Sequence, residues 1–316
     1  MDTFEYGASD SAPWNYVMTI IAGSLDYDGG SVPVPSGGDI DNGWGTAISS
    51  QSIGPDSKPL PTSLRIVFFS YLENQFYRGN FTLPYDTILK LFQGKYFSPK
   101  DNKNITYHTI IVGVAPGGAV AIWLRSSDRN TEVFFGQAHK VDLDWSVMTN
   151  NSMPREEYIR ESIKDSLETP ETVAAMKKNG PPIGLWSRYR KRYNWQPEFT
   201  RMSLDEGLIS TILYYNGERD FLEYPLDKAI AAHTRAIPSE MVFVWKQTKT
   251  SGRLIELYFN EAEIFAAFRK LGSNHQPLKL EVRVDKVNGK SAITIWLHND
   301  KESIELKHTK IDNYKA

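Results

Sequence analysis

Leu60-Pro61-Thr62-Ser63-Leu64-Arg65-Ile66-Val67-Phe68 returns in type as Ile237-Pro238-Ser239-Glu240-Met241-Val242-Phe243-Val244-Trp245. Each stretch continues through a short polar turn, a second strand-like run, a helix and a closing hairpin. Both closing hairpins end on Ile-Trp-Leu, as Ile122-Trp123-Leu124 and Ile295-Trp296-Leu297. The recurrence predicts an α+β fold of two tandem related modules, each a mostly antiparallel sheet with a helix, ordered β-ββ-α-ββ. The first, with a helical linker over about 150–200, is expected across residues 1–200. A diverged copy is expected over 201–316. The copies share no reactive residues, and a repeated inert surface favours binding over catalysis.

Working outward from the first stretch, Leu64–Tyr71 and Phe76–Leu83 alternate in polarity and predict a hairpin turning at Glu73-Asn74. Pro84, then Ile88, Leu91 and Phe92, then Gly94 predict a helix with its start and stop. Ala115-Pro116-Gly117-Gly118 predicts a type II turn between Ile105–Val114 and Ala119–Leu124, because glycine takes the positive φ cheaply. Upstream, Tyr16 to Leu25 reads as a strand. The Gly-, Ser- and Pro-rich stretch from Asp26 to Lys58 reads as a long loop, expected to be mobile and structurally passive.

Between the copies, Asn151 or Ser152 with Pro154 starts one helix, with Ile159, Ile163 and Leu167 on one face, and Thr169-Pro170 starts another. In the second copy, Leu208–Tyr215 is the counterpart of the first strand. Met241–Thr248 and Arg253–Phe259 form its hairpin. Asn260 caps a helix with Glu263 placed for a capping box. Asn288-Gly289 marks the last hairpin, from Leu278–Val287 to Ala292–His298. Trp123 and Trp296, at equivalent places, are expected in the core.

A length of 316 residues suits two domains, each able to bury a core. The net charge of −2 supplies no overall field for nucleic acid. Cysteine is absent, which excludes disulfides and thiolate chemistry. No apolar run approaches ~20 residues, so no membrane span is expected. Met1-Asp2-Thr3 opens without a basic or an apolar region, so no signal peptide is expected in this chain.

Catalytic patterns are missing. No G-x-S-x-G elbow, Walker loop, H-E-x-x-H helix or G-x-G-x-x-G turn occurs. The six histidines are scattered, none with a carboxylate at ligand spacing on a helix. No catalytic, cofactor-binding or metal-binding residue is therefore expected. Asp39-Ile40-Asp41-Asn42-Gly43 resembles the start of a calcium loop, but Trp44 and Ser50 occupy the positions that need glycine and glutamate, so an Asx-type turn is the better reading. The run from Arg188 to Trp195 alternates basic and aromatic residues and offers two readings. It stacks bases, or it buries Trp186, Tyr189, Tyr193 and Trp195 while its cations stay in water. The modest charge of the chain favours the second.

Leu60-Pro61-x-Ser63-Leu64, Phe81-Thr82-Leu83-Pro84, Gly113-Val114-Ala115-Pro116-Gly117-Gly118 with Ile122-Trp123-Leu124, and Gly184-Leu185-Trp186-x-x-Tyr189-Arg190-x-Arg192-Tyr193-x-Trp195 together resemble a family of uncharacterised lipoproteins of Gram-negative bacteria. The resemblance covers about residues 14–200 and rests on the order of these pieces. It implies a periplasmic location and an N-terminal lipid anchor as the sole membrane contact, although the lipobox cysteine is absent from this chain. Some members look like immunity proteins encoded beside lipase-type toxins of the type VI secretion system. The resemblance implies no cofactor and no catalytic residue.

On that basis the expected function is to bind and neutralise a cognate type VI effector, a phospholipase, by blocking its active site. The alternative is an envelope lipoprotein with a structural or ligand-carrying role and no toxin partner. The expected partner contacts are Asp39, Asp41 and Trp44 on the long loop and Tyr71, Glu73 and Asn74 at the first hairpin turn. Lys249 and Arg253 stand at the equivalent turn of the second copy.

Overall fold

The computed structural model describes residues 2–50, 54–98, 101–148, 153–165, 170–201, 208–224, 233–248, 251–273, 276–287 and 290–315. The chain is mostly β-sheet, 50% strand against 18% helix, which places it in the α+β to mainly-β range. It divides into two compact units, Met1–Trp186 and Ser187–Ala316. Among the described residues no helix is long and apolar enough to cross a membrane.

The main strands of the first unit are β1 (Gly7–Ser11), β2 (Met18–Tyr27), β3 (Gly30–Pro33), β4 (Ser63–Ser70), β5 (Gln75–Thr82), β6 (Thr109–Ala115), β7 (Ala119–Arg125), β8 (Asn130–Gln137) and β9 (His139–Val141). Helix α1 (Tyr85–Gln93) follows β5, and α2 (Arg155–Asp165) and α3 (Pro170–Asn179) follow β9. One sheet runs β3-β2-β4-β5-β9, antiparallel throughout. The other runs β1-β6-β7-β8, with β1 parallel to β6 and the remaining pairs antiparallel.

Alternation explains the first sheet. Leu64, Ile66 and Phe68 of β4 point into the main core with Ile110, Val112, Ile122 and Leu124 from the second sheet and Ile88 and Phe92 from α1. The intervening Arg65 faces water and pairs with Asp26 at 2.7 Å. By contrast β6 and β7 are nearly unbroken apolar runs, the pattern of strands buried on both faces. Their outer residues Ile111, Ala121 and Trp123 lie under Trp44 and Ala47. The turn between them has Gly117 at φ 77° and ψ 4°, as a type II turn with Pro116 before it requires.

The stretch from Asp26 to Lys58 is not the passive loop expected. Within it β3 pairs with β2, Asp39-Ile40 pairs with Met18-Thr19, and Ser57–Pro59 pairs with Thr3–Glu5. Short strands too brief to show a period hold it in place.

In the chain order, α4 (Leu185–Tyr189) is followed by β10 (Tyr193–Thr200), β11 (Leu208–Tyr214), β12 (Arg219–Tyr224), β13 (Pro238–Thr248), β14 (Ser251–Tyr258), α5 (Glu261–Leu271), β15 (Leu278–Val287), β16 (Lys290–His298), β17 (Ser303–Glu305) and β18 (Lys310–Lys315). In the second unit one sheet runs β12-β11-β13-β14-β18, all antiparallel. The other runs β10-β15-β16-β17, with the short strand Thr234–Arg235 on the free edge of β10; β10 is parallel to β15 and the rest are antiparallel. Its core gathers Trp195, Phe199, Ile212, Phe243, Ile255, Phe268, Leu280, Val282, Ile295 and Leu297.

The division falls at Trp186/Ser187 rather than at the expected residue 200. Strand β10 belongs to the second unit because it pairs with β15 from Trp195↔Leu278 to Thr200↔Arg283. Asn260 caps α5 by accepting from the Glu263 amide at 3.1 Å. The Glu263 carboxylate does not close a capping box; it accepts from the amides of Lys307 and His308 at 2.9 and 3.0 Å. Trp296 also departs from expectation. Trp123 is fully buried, whereas Trp296 is half-exposed, with the Arg283 guanidinium 4.7 Å from its ring centroid. The caps proposed at Asn151, Ser152 and Thr169 and the Asn288-Gly289 turn lie outside the described residues.

Candidate interaction surfaces

The first hairpin turn is a brace. Tyr71 is buried and donates its hydroxyl to the Asp39 carboxylate. Burial, and then Asp39, push its phenol far above the usual range, so it stays a donor. Glu73 accepts from the Tyr77 hydroxyl at 2.8 Å and from the Gly117 amide at 2.9 Å. Asn74, at φ 51°, accepts from Arg155 of α2 at 2.7 Å through its side chain and 3.1 Å through its carbonyl. The Arg155 guanidinium lies 5.5, 5.3 and 5.0 Å from the rings of Phe69, Phe76 and Trp145. Tyr71 is therefore buried within the fold, Glu73 is half-buried, and Asn74 stays exposed while it binds Arg155.

The long loop is also fastened. Asp39 is exposed beside Tyr71, and Asp41 is half-buried. Trp44 is half-buried, edge-on to Trp123 at 4.8 Å and tilted against Trp186 at 5.4 Å. Beneath it, buried polar groups of β1 and β8 bind the loop backbone. Ser11 Oγ donates to the Gly43 carbonyl and accepts from the Gly45 amide, both at 2.9 Å. Asn130 Nδ2 donates to the Gly45 carbonyl at 2.8 Å, and Asp10 accepts from the Ser49 amide at 3.2 Å. Burial raises the Asp10 carboxyl above its usual range. These bonds satisfy buried backbone groups and fix the loop.

In the second unit Arg253 is half-buried on β14, with a nitrogen 3.4 Å from Asn313 Oδ1. Lys249 lies outside the described residues. Within the first unit the structure thus brings Asp39 to Tyr71, and Glu73 and Asn74 into one turn.

The basic-aromatic run folds as the second reading expects. Trp186, Tyr189, Tyr193 and Trp195 are buried. Trp195 Nε1 donates to the Ala236 carbonyl at 2.9 Å, and Tyr189 and Arg188 share the Glu261 carboxylate at 2.9 and 2.8 Å.

Sequence spacing misses a second-unit cluster entirely. His298 Nε2 lies 3.4 Å from Glu281 and 3.6 Å from Glu198, and the three side chains are the candidate metal ligands among the described residues. Cross-strand register makes the group: Glu198 pairs with Glu281, and His298 pairs with Lys279 beside it. Each carboxylate already has a cation, Lys279 on Glu198 at 2.7 Å and Arg283 on Glu281 at 2.8 Å. Thr200 adds a hydrogen bond to Glu281 at 2.6 Å. A dication would sit between two fixed positive groups, so the charge balance fits a surface ion-pair network better than a metal centre.

Exposed apolar side chains of the first unit were also missed. Trp14 is 60%, Ile48 58% and Ile183 77% exposed. Trp14 lies over Gly43, where a Cβ would stand 2.7 Å from the indole nitrogen and φ is 102°. Gly43 leads into Trp44, Trp44 meets Trp186, and Trp186 Nε1 donates to the Pro116 carbonyl at 3.0 Å. Ile183 stands over Gly117, next to Pro116. Indole and aliphatic groups thus project from loops that a packed aromatic stack makes rigid.

Residues 1–184 match the family described as Protein of unknown function (DUF2931). The chain belongs to that family. The match contains Trp14, Trp44, Ile48 and Ile183 and ends close to the Trp186 boundary of the first unit. No curated protein and no solved structure matches the chain.

Proposed function

We propose that this protein binds and neutralises a cognate type VI effector of the phospholipase kind in the periplasm, acting by occupancy rather than turnover. The observation that carries the reading is the exposure of Trp14, Ile48 and Ile183 on loops fixed by the Trp44–Trp123–Trp186 stack and the buried bonds to Ser11 and Asn130. Aromatic and aliphatic anchors held in advance bind with little ordering loss and suit the centre of an inhibitory interface. The resemblance of the sequence to lipoproteins with toxin-immunity members supplies the partner class. The absence of catalytic patterns in the sequence agrees with it.

We further read the second unit as a diverged copy of the first. In support, β2-β4-β5 with α1 and β1-β6-β7-β8 are matched in order and direction by β11-β13-β14 with α5 and β10-β15-β16-β17. A first strand lying parallel to the later hairpin recurs in both, a pairing that local turn chemistry does not impose.

The test is co-expression with the lipase-type toxin encoded beside the gene. Wild-type protein is expected to restore growth and to co-purify with the toxin. Trp14→Ala and Ile183→Asp, both at exposed positions, are expected to weaken the complex about tenfold or more. Full toxicity with no complex from wild-type protein would overturn the reading.

A further inference from the structure

Ile209, Val244, Leu254 and Tyr314 lie directly opposite one another on β11, β13, β14 and β18. They face away from the core: their neighbours Ser210, Phe243 and Ile255 are buried and Ile311 packs on it, whereas Ile209 is 40%, Val244 39% and Tyr314 50% exposed. The next row on this face adds the half-buried Phe221 and Val242. Adjacent strands are about 4.8 Å apart, so the row spans roughly 14 Å, the length of a helix of about nine or ten residues. One helical turn rises about 5.4 Å, close to the strand spacing, so side chains one turn apart can seat between successive strands.

One side of the row is acidic. Glu223 is exposed beside Ile209, and Glu256, Asp312 and Glu240 follow in the next two rows. Against them stand Arg219 and Lys310, with Lys310 already paired with Asp312 at 2.7 Å, and Lys246 occupies the row on the other side of Val244. Burial, and then the neighbouring Glu256, raise the Glu240 carboxyl. A partner here should be apolar along one stripe and basic along the flank that meets Glu256 and Asp312.

The first unit displays what such a face accepts. The outer side of its β2-β4-β5 sheet, with Val17, Phe69, Tyr71 and Phe76, is covered by Tyr158, Ile159 and Ile163 of the amphipathic helix α2. We infer that the outer face of β11-β13-β14-β18 docks an amphipathic helix of a partner protein, its apolar stripe on Ile209, Val244, Leu254 and Tyr314 and its basic flank on Glu223, Glu256 and Asp312. This goes beyond the toxin reading, since it uses different residues in a different unit and requires no particular partner identity.

The test uses the full chain and three stapled helical peptides labelled with fluorescein. One has leucines at i, i+3, i+4 and i+7 with lysine flanks, one has the same leucines with glutamate flanks, and one has the lysine composition scrambled. Anisotropy is expected to rank the lysine-flanked amphipathic peptide first by about tenfold over both others. Hydrogen exchange should show protection on β11, β13, β14 and β18. Val244→Asp and Tyr314→Asp should each lose about tenfold in affinity. Equal binding of the scrambled peptide would overturn the inference, as would undiminished binding by folded Val244→Asp. Sedimentation showing a dimer that Tyr314→Asp dissolves would also overturn it, because a second copy would then occupy the face. Loss of toxin binding in Trp14→Ala with peptide binding intact would bear on the other reading alone.

Discussion

The two units lay down sheets in the same order but treat the outer faces of those sheets in opposite ways. In the first, Trp44 and Ala47 cover Trp123, and α2 covers Phe69 and Phe76. In the second, the face bearing Trp296 carries Lys279, Glu281, Arg283 and His298, and the face bearing Val244 carries an exposed apolar row. The difference is written in the strands. Thr109-Ile110-Ile111-Val112-Gly113-Val114 has apolar side chains on both faces, whereas Leu278-Lys279-Leu280-Glu281-Val282-Arg283 alternates strictly. A sheet with two apolar faces must recruit covering segments, and those segments displace the exposed groups onto loops. A sheet with one apolar face leaves the other available.

The widest contrast should appear at the paired tryptophans. Trp123→Ala empties a fully buried site and is expected to destabilise the chain by about 3–5 kcal/mol. Trp296→Ala removes a half-exposed ring stacked on Arg283 and should cost about 1 kcal/mol or less. Chemical denaturation of the full chain measures both. Similar losses would break the covered-versus-open distinction.

A smaller effect probes the cover itself. Ser11→Ala leaves the Gly43 carbonyl and Gly45 amide without their partner in a buried place and should cost about 1–3 kcal/mol. Near-ultraviolet circular dichroism should report loosening of the Trp44–Trp123 contact. The matching change on the open face, Thr294→Ala, removes a hydrogen bond from the Trp296 indole at 3.2 Å and should lie within about 0.5 kcal/mol of wild type.

Arg155→Ala tests the second cover. It removes two hydrogen bonds to Asn74 and the contacts with Phe69, Phe76 and Trp145, worth about 1–2 kcal/mol together at this half-buried site. Hydrogen exchange across α2 should accelerate while α5, capped by Asn260, stays protected. Unchanged exchange in α2 would show that the helix is held by its apolar face alone.

How much of this was legible depends on the range of the interaction. The hairpins β4–β5, β6–β7 and β13–β14, and helices α1 and α5, follow from alternation, Pro116-Gly117 and Asn260, all local signals. Strand β10 reads as part of the first module, because parallel pairing with β15 leaves no turn between the partners. His298 reaches Glu198 and Glu281 through cross-strand register, which sequence spacing does not display. Tyr71 reads as a turn residue and turns inward because Asp39, far off in sequence, accepts its hydroxyl. Trp14 and Ile183 give no sign of exposure, since a lone apolar residue in a loop is commoner as packing than as an anchor.

The smallest prediction gives the two units opposite responses to pH. In the second, burial opposes the charge of Glu281, but hydrogen bonds from Arg283 and Thr200 hold its carboxyl below the usual 4.5. Its contribution to stability is therefore present above pH 4.5 and is lost as pH falls through the lowered value. In the first, burial holds Asp10 above the usual 3.8 despite the Ser49 amide. That contribution is complete below pH 3.8 and is lost as pH rises through the raised value. Glu281→Gln should accordingly flatten the acid limb of the stability curve. Asp10→Asn, which keeps an oxygen for Ser49, should gain on wild type as pH rises. Each change should be about 1 kcal/mol or less. Denaturation midpoints from pH 3 to 7 separate the two slopes. Parallel slopes in the variants would mean that the buried Asp10 and the ion-paired Glu281 share one electrostatic environment, contrary to the difference between a covered sheet and an open one.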